Sequence, residues 1–316
     1  MGLRRLGVTI VCLAGLAALA FIAYVLVFPH RPPAAGAPPA KPPVSSAQTT
    51  AGPVTAKAPA PLITDCAAPG FETAATANGA SLTTLAWAPF HRPETGWGIY
   101  APRIALEIGV ACGPQSAGFA KALAHWQGAH HLPASGQLDA ATFGAMNTAW
   151  ELARPFVRLS QTGVCPDPPA ADQIAWATPA EGYEGKPVQL RIGALAAYRR
   201  LAAAARADDP AIAADPRLLT IFSGYRSPDS DAARCAKDGN CGNVTRALCS
   251  AHRTGLAMDI YLGAAPGYAP ESSDDANRLY QAQSPAYAWL IAHGADYGFV
   301  NYPFEPWHWE WTGEAP

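Results

Sequence analysis

Three short segments of the sequence set chemically able side chains into apolar surroundings. They are Ser223-Gly224-Tyr225-Arg226-Ser227, the run from Ser250 through His252 to Asp259, and Glu305-Pro306-Trp307-His308-Trp309-Glu310-Trp311. Burying such groups costs free energy unless they are paired or used. His252, Asp259 and His308 offer two imidazoles and a carboxylate, the N/O ligand set of a catalytic zinc site that keeps a fourth position open for water. Asp259 stands between Met258 and Ile260 in a predicted strand, where a carboxylate needs a cation beside it. An ion pair with Arg226 or Arg253 is the other way to meet that need, and a core histidine held between Trp307 and Trp309 is the alternative for His308. Zinc lowers the pKa of a bound water to about 7, and a carboxylate must then take the water's proton and hand it on to the leaving group. Glu305 and Glu310 are the candidates: Glu310 shares the face of His308 on a regular strand, while Pro306 breaks the alternation that would turn Glu305 away. Arg226, in the loop after a strand, presents a planar fork suited to an oxyanion or a substrate carboxylate. Ser250, Tyr225 and Trp307 are the neighbours expected to contact substrate.

These segments resemble the zinc D-alanyl-D-alanine carboxypeptidases of the VanY family, a group related to VanX-type dipeptidases and murein endopeptidases. The pattern S-x-H-x-x-G-x-A-x-D is met by Ser250, His252, Gly255, Ala257 and Asp259, and the later E-x-x-H by Glu305 and His308. The likeness spans roughly residues 186–313. It implies that His252, Asp259 and His308 bind Zn2+, that Glu305 is the catalytic base, and that Arg226 is an electrophile on the substrate side. It implies as partner the D-Ala-D-Ala terminus of peptidoglycan stem peptides. A murein endopeptidase using the same zinc site, and a non-catalytic wall-binding protein, are the alternatives. The S-x-x-K, G-x-S-x-G and H-E-x-x-H signatures of other hydrolases are absent from the sequence.

Elements that can position such a site follow from periodicity. An alanine-rich amphipathic helix is predicted over 192–207, and strands over 218–222, 255–262 and 307–311. Ser284-Pro285 starts a helix that ends at Gly294. Helices and strands mix without βα alternation, so the expected class is α+β, a small antiparallel sheet with flanking helices around the zinc site. Upstream, helical spacing covers 119–127, and a second helix over 138–146 follows the turn Leu132-Pro133-Ala134-Ser135-Gly136, with Asp139 as its N-cap. This helix–turn–helix resembles half of a peptidoglycan-binding repeat. His125, His130 and His131 are read as ordinary helix-surface or core histidines. The domains expected are a helical one over 62–159, a Pro/Gly-rich connector over 160–185 and the zinc peptidase over 186–316.

The chain of 316 residues is half hydrophobic, only 15% charged and has a net charge of -2. It lacks the basic patch that a nucleic-acid binder needs. Residues 8–28 carry neither charge nor proline and follow Arg4 and Arg5. A helix of that length spans about 31 Å, a bilayer's hydrocarbon core, and the arginines put the N-terminus in the cytoplasm. Residues 1–28 are therefore expected to be a cytoplasmic tip and transmembrane anchor. Residues 29–61, with ten prolines, are expected to form an extended tether. The expected location is a single-pass inner-membrane protein with its catalytic part in the periplasm. Six cysteines then lie outside, Cys66, Cys112, Cys165, Cys235, Cys241 and Cys249, an even number that suits disulfides in an oxidising compartment. A zinc cluster of Cys235, Cys241 and Cys249 is the weaker reading, since no C-x-x-C pair occurs. The apolar run is too long for a signal peptide's core, so the mature protein should keep its first 28 residues; N-terminal sequencing of the membrane fraction checks this, and a soluble form beginning near Ala35 would overturn it.

Overall fold

A computed structural model describes residues 61–161, 165–238 and 250–315. The predicted anchor and nearly all of the tether lie outside the described residues, as do Cys241 and Cys249. No helix among the described residues is long and apolar enough to cross a membrane.

The N-terminal part of this body is helical. It runs through α1 (Glu72–Thr84), a hairpin of two-residue strands, β1 (Ala86–Trp87) and β2 (Glu94–Thr95), α2 (Ala101–Glu107), α3 (Ala117–Ala129), α4 (Ala140–Ala153) and α5 (Pro155–Ser160). Asp139 caps α4 as its residue type predicts, accepting from the Thr142 N–H at 2.7 Å. The turn between α3 and α4 is held by two buried amides. Gln127 accepts from the Gly136 N–H and donates to Gln137 O, while Asn78 donates to Gly136 O and accepts from the Leu138 N–H. Gly136 is required there: it has φ +68°, and a Cβ would sit 2.6 Å from Ala120 O. Cys66 is bonded to Cys112 across 46 residues, and Cys165 and Cys235 are also in disulfides. His130 stacks on Trp126 at 3.7 Å, the ordinary role expected of it.

The connector is more ordered than its composition suggests. It contains β3 (Ile174–Trp176), which pairs with β4 (Gln189–Arg191) just before α6 (Ile192–Asp208). After α7 (Pro210–Ala214) comes β5 (Ile221–Ser223), shorter than the strand predicted over 218–222. Leu219 has φ +69°, a left-handed conformation that no strand can include. Next come α8 (Pro228–Asp238), β6 (Ala257–Ile260), α9 (Asp275–Ala282), α10 (Pro285–His293), β7 (Phe299–Asn301) and β8 (His308–Trp311). Ser284 caps α10 with Pro285 at its first turn, as predicted.

The central sheet is antiparallel, with strand order β5-β6-β8-β7. Met258, Ile260 and Trp309 enter the core from it. Side chains alternate across a pleated strand, so Asp259, His308 and Glu310 share the opposite face. The core is continuous from the helical part into the sheet: Trp97, Phe119, Phe143 and Met146 belong to the same cluster as Tyr198, Met258 and Trp309.

A polar knot lies in the seam. Arg278, on α9 and fully buried, donates through Nε to Phe304 O at 2.8 Å and through Nη2 to the Tyr100 hydroxyl. Its Nη1 lies 3.2 Å from Glu94 and 3.1 Å from Asp275. Tyr100 in turn donates to Glu94 at 2.6 Å. Removing one member of such a buried set strands the others. Arg278→Met should therefore lose about 3–5 kcal/mol of stability in denaturant titration with disulfides intact; a loss below about 1 kcal/mol would show that the knot contributes nothing net.

Candidate metal centre

Strand register assembles the first two candidate ligands. Asp259 on β6 lies directly opposite His308 on β8, and Ser223 on β5 lies opposite Asp259 from the other side. Directly opposed residues hold their Cβ atoms about 4.5–5.5 Å apart, which is enough to bring short polar side chains together. His308 Nδ1 is 2.8 Å from Asp259 Oδ1. The third candidate ligand comes from the 3-10 turn Ala251–Thr254, which ends at Gly255 with φ +70° and leads into β6. His252 Nε2 lies 3.2 Å from Asp259 Oδ2. The three donor atoms fall within 4.8 Å of one another, and no other such group occurs among the described residues. Zinc ligands about 2.0–2.2 Å from a tetrahedral ion lie about 3.3–3.6 Å apart, so the trio fits a metal ion with small adjustments.

The tautomers fit as well. His252 Nδ1 is 2.8 Å from Gly224 O; a carbonyl can only accept, so Nδ1 carries the proton and Nε2 is left with its lone pair toward Asp259. This explains the glycine of the Ser-Gly-Tyr-Arg segment. A Cβ on Gly224 would lie 2.4 Å from Gln189 O and 2.5 Å from Val188 Cγ1, displacing the carbonyl that orients His252. His308 Nε2 is buried without a hydrogen bond and faces Glu310 Oε1 at 3.5 Å.

The charges follow from burial and partners. Burial and the Arg226 guanidinium push His252 down to about 4, so it is neutral at physiological pH. Burial opposes a proton on His308, but the Asp259 and Glu310 carboxylates outweigh it and hold the ring up at about 9. Asp259 is depressed far below the carboxylate range: burial works against its charge, and the two histidines more than compensate. Glu310, despite burial, is held down at about 2 by Arg154 and His308.

Of the other expected site residues, Arg226, Ser250, Glu305 and Trp307 line the same cleft of about 850 Å3 as the three ligands, whereas Tyr225 is not among its lining residues. Arg226 Nη2 donates to Ser223 Oγ at 2.9 Å and lies 3.5 Å from Asp259 Oδ2; burial lowers its pKa. Arg253 pairs with buried Asp231 at 3.1 Å instead of with Asp259. The Ser250 hydroxyl also donates to Asp231, at 2.9 Å, so its proton is already used to tie the loop before His252 to α8. Glu305, half-buried, sits in the β7–β8 loop and adds to the field at Arg226. Glu310 is a different kind of group. It is 1% exposed, with one oxygen accepting from Arg154 Nε at 2.7 Å and the other from the Phe156 N–H at 2.9 Å.

Sequence reasoning missed two residues that reach the site's loop and its buried carboxylate. Asn301, fully buried, shares its amide N–H groups among Glu305 O, Pro306 O and His308 O, fixing the loop that carries Glu305 and His308. Arg154, far away in sequence, reaches Glu310. Neither carries a local signal.

Residues 187–314 match the family model VanY, D-alanyl-D-alanine carboxypeptidase. No curated protein matches the chain significantly. Among solved structures, a variant of the vancomycin resistance D,D-pentapeptidase VanY from a VanB-type resistance cassette, in complex with Zn(II), is similar. It has 22% identity over 46% of this chain and 83% of its own, with a TM-score of 0.28. On the family model alone, residues 187–314 are similar to the VanY D-alanyl-D-alanine carboxypeptidases.

Metal uptake must displace the proton from His308, while His252 and Asp259 are already free of theirs. At pH 6, zinc binding should release about one proton per ion, measured by titration calorimetry in buffers of different ionisation enthalpy, and affinity should rise with pH toward about 9. Release of no proton would mean that His308 is neutral before the metal arrives.

Proposed function

We propose that the protein is a zinc-dependent D-alanyl-D-alanine carboxypeptidase that removes the terminal D-Ala of peptidoglycan stem peptides. The observation that carries this reading is the cross-strand Asp259–His308 pair completed by His252, opening on a cleft that also contains Glu305 and Arg226. The match of residues 187–314 to the VanY family model supports the substrate class.

Zinc held by His252, Asp259 and His308 would supply a Lewis acid and a water of pKa near 7. The chain's own residues do the rest. Glu305 takes the attacking water's proton and returns it to the leaving amine. The E-x-x-H spacing before His308 favours it over Glu310, whose two oxygens accept from Arg154 and the Phe156 amide. Arg226 stays cationic in spite of burial and is braced by Ser223. It meets negative charge, either the developing oxyanion or the substrate's terminal carboxylate. Trp307, buried beside the ligands, forms an apolar wall. Residues 1–28 would hold this body at the inner membrane with the cleft in the periplasm, residues 29–61 giving it reach.

Products released from a defined stem pentapeptide and from crosslinked muropeptide dimers, with and without chelator, test the reading. Free D-Ala from the pentapeptide, abolished by chelator, is expected. Cleavage of dimers alone would make the enzyme an endopeptidase, and no metal-dependent product from either would sink the proposal. Glu305→Gln should lower turnover about 10²–10⁴-fold with zinc retained, and Glu310→Gln about 10–100-fold. The reverse order would move the base to Glu310. Arg226→Ala should lower kcat if the guanidinium serves the oxyanion, and mainly raise KM if it grips the carboxylate in the ground state.

A further inference from the structure

Six residues of the helical part, Arg92, Glu151, Arg154, Phe156, Val157 and Ser160, line the cleft together with the metal-ligating residues. Among them Arg154 differs by its burial and its partners. Its side chain is 8% exposed. Nε donates to Glu310 Oε1 at 2.7 Å, Nη1 donates to Glu151 Oε2 at 2.6 Å, and the guanidinium lies 4.0 Å over the ring of Tyr302. The backbone explains the placement. Arg154 has ψ 128° between α4 and α5, because a residue before proline is driven out of the helical region. That break turns the chain so that the Arg154 side chain and the Phe156 N–H both meet Glu310.

Glu310 is therefore held at both oxygens by one segment of the helical part. Oε1 also faces His308 Nε2, which has no hydrogen-bond partner of its own. A ligating imidazole is oriented by whatever its second nitrogen faces, and His308 presents Nδ1 to the ligand cluster. The chain of control runs from Arg154 and the Phe156 amide, through Glu310, to the plane of the His308 ring.

We propose that Arg154 is a positioning residue of the metal centre, fixing through Glu310 the orientation of His308, so that the helical part is built into the peptidase site and is not only an appended binding module. This rests on the zinc-peptidase reading above. Without Arg154, buried Glu310 would lose its closest cationic partner and the bond that fixes Oε1, and His308 would lose its fixed orientation with it.

Zinc affinity of the full chain, measured by chelator competition, and the visible spectrum of the Co(II)-loaded protein test the proposal. Arg154→Met keeps the bulk and removes the charge. It should weaken zinc binding about 10–100-fold, alter the cobalt bands, and lower kcat more than it raises KM. Combined with Glu310→Gln it should cost little more than the worse single change, because both act on one chain of contacts. A purely structural role would lower the thermal midpoint while leaving the folded protein's zinc affinity and cobalt spectrum as in the parent; that result overturns the proposal. If Arg154→Met does not fold, Arg154→Lys keeps the cation but not the fork. It should still weaken zinc at least about fivefold, and parent affinity in a folded Arg154→Lys protein counts against the idea. A parent protein that binds no zinc at all would instead remove the underlying function.

Discussion

An ionised carboxylate buried in a β-sheet is the constraint around which this structure is arranged. Taking such a group out of water costs several kcal/mol even after relaxation, and Asp259 sits on a central strand with His308 on one side and Ser223 on the other. Neutral neighbours cannot meet that cost. The surroundings of Asp259 are two imidazoles and, at 3.5 Å, a guanidinium. Without metal the carboxylate is compensated by the proton it helps keep on His308; with metal it would be compensated by the ion. The same three side chains thus answer the same electrostatic need in two ways.

How much of this is visible in sequence depends on range. Asp259 between Met258 and Ile260 announces itself, since an acid inside an apolar run is costly unless used, and His252 lies within the same ten residues. Helix caps at Asp139 and Ser284 are equally local and stand where residue type puts them. The strand predicted from Leu218 begins later because Leu219 takes a left-handed turn, a tertiary choice that no propensity encodes. The β3–β4 pair hides in a Pro/Gly-rich stretch because two three-residue strands carry too little periodicity. Glu310 could be placed on the face of His308 by alternation alone. Its true partners, 154 and 156 residues earlier, could not. Long-range polar pairs leave no spacing to read.

The helical part illustrates the same limit. Its turn-and-helix pattern resembles a wall-binding repeat and predicts a separate module. In the structure its aromatic residues share one core with the peptidase sheet, and its polar residues reach the seam with their charges paired. Buried ion pairs are weak sources of net stability but costly to mismatch. The knots at Arg154 and Arg278 therefore specify how helices and sheet meet more than they strengthen the contact.

Both knots converge on the β7–β8 loop. Arg154 stacks over Tyr302 at 4.0 Å, and Arg278 stacks over Phe304 at 4.1 Å while donating to its carbonyl. Asn301 holds the carbonyls of Glu305, Pro306 and His308 from within. The stretch 302–308 is thus gripped at Tyr302 and Phe304 and along its backbone, and it carries Glu305 into the cleft. Proton transfer by a general base depends on heavy-atom distances near 3 Å, and loops ordinarily move too much to keep them. Here the stretch is held by Arg154 and Arg278, from distant parts of the chain, and by Asn301 at its own start. Those contacts set the backbone that carries Glu305 and leads into His308, whereas Asp259 and His252 are placed by β6 and the turn before it.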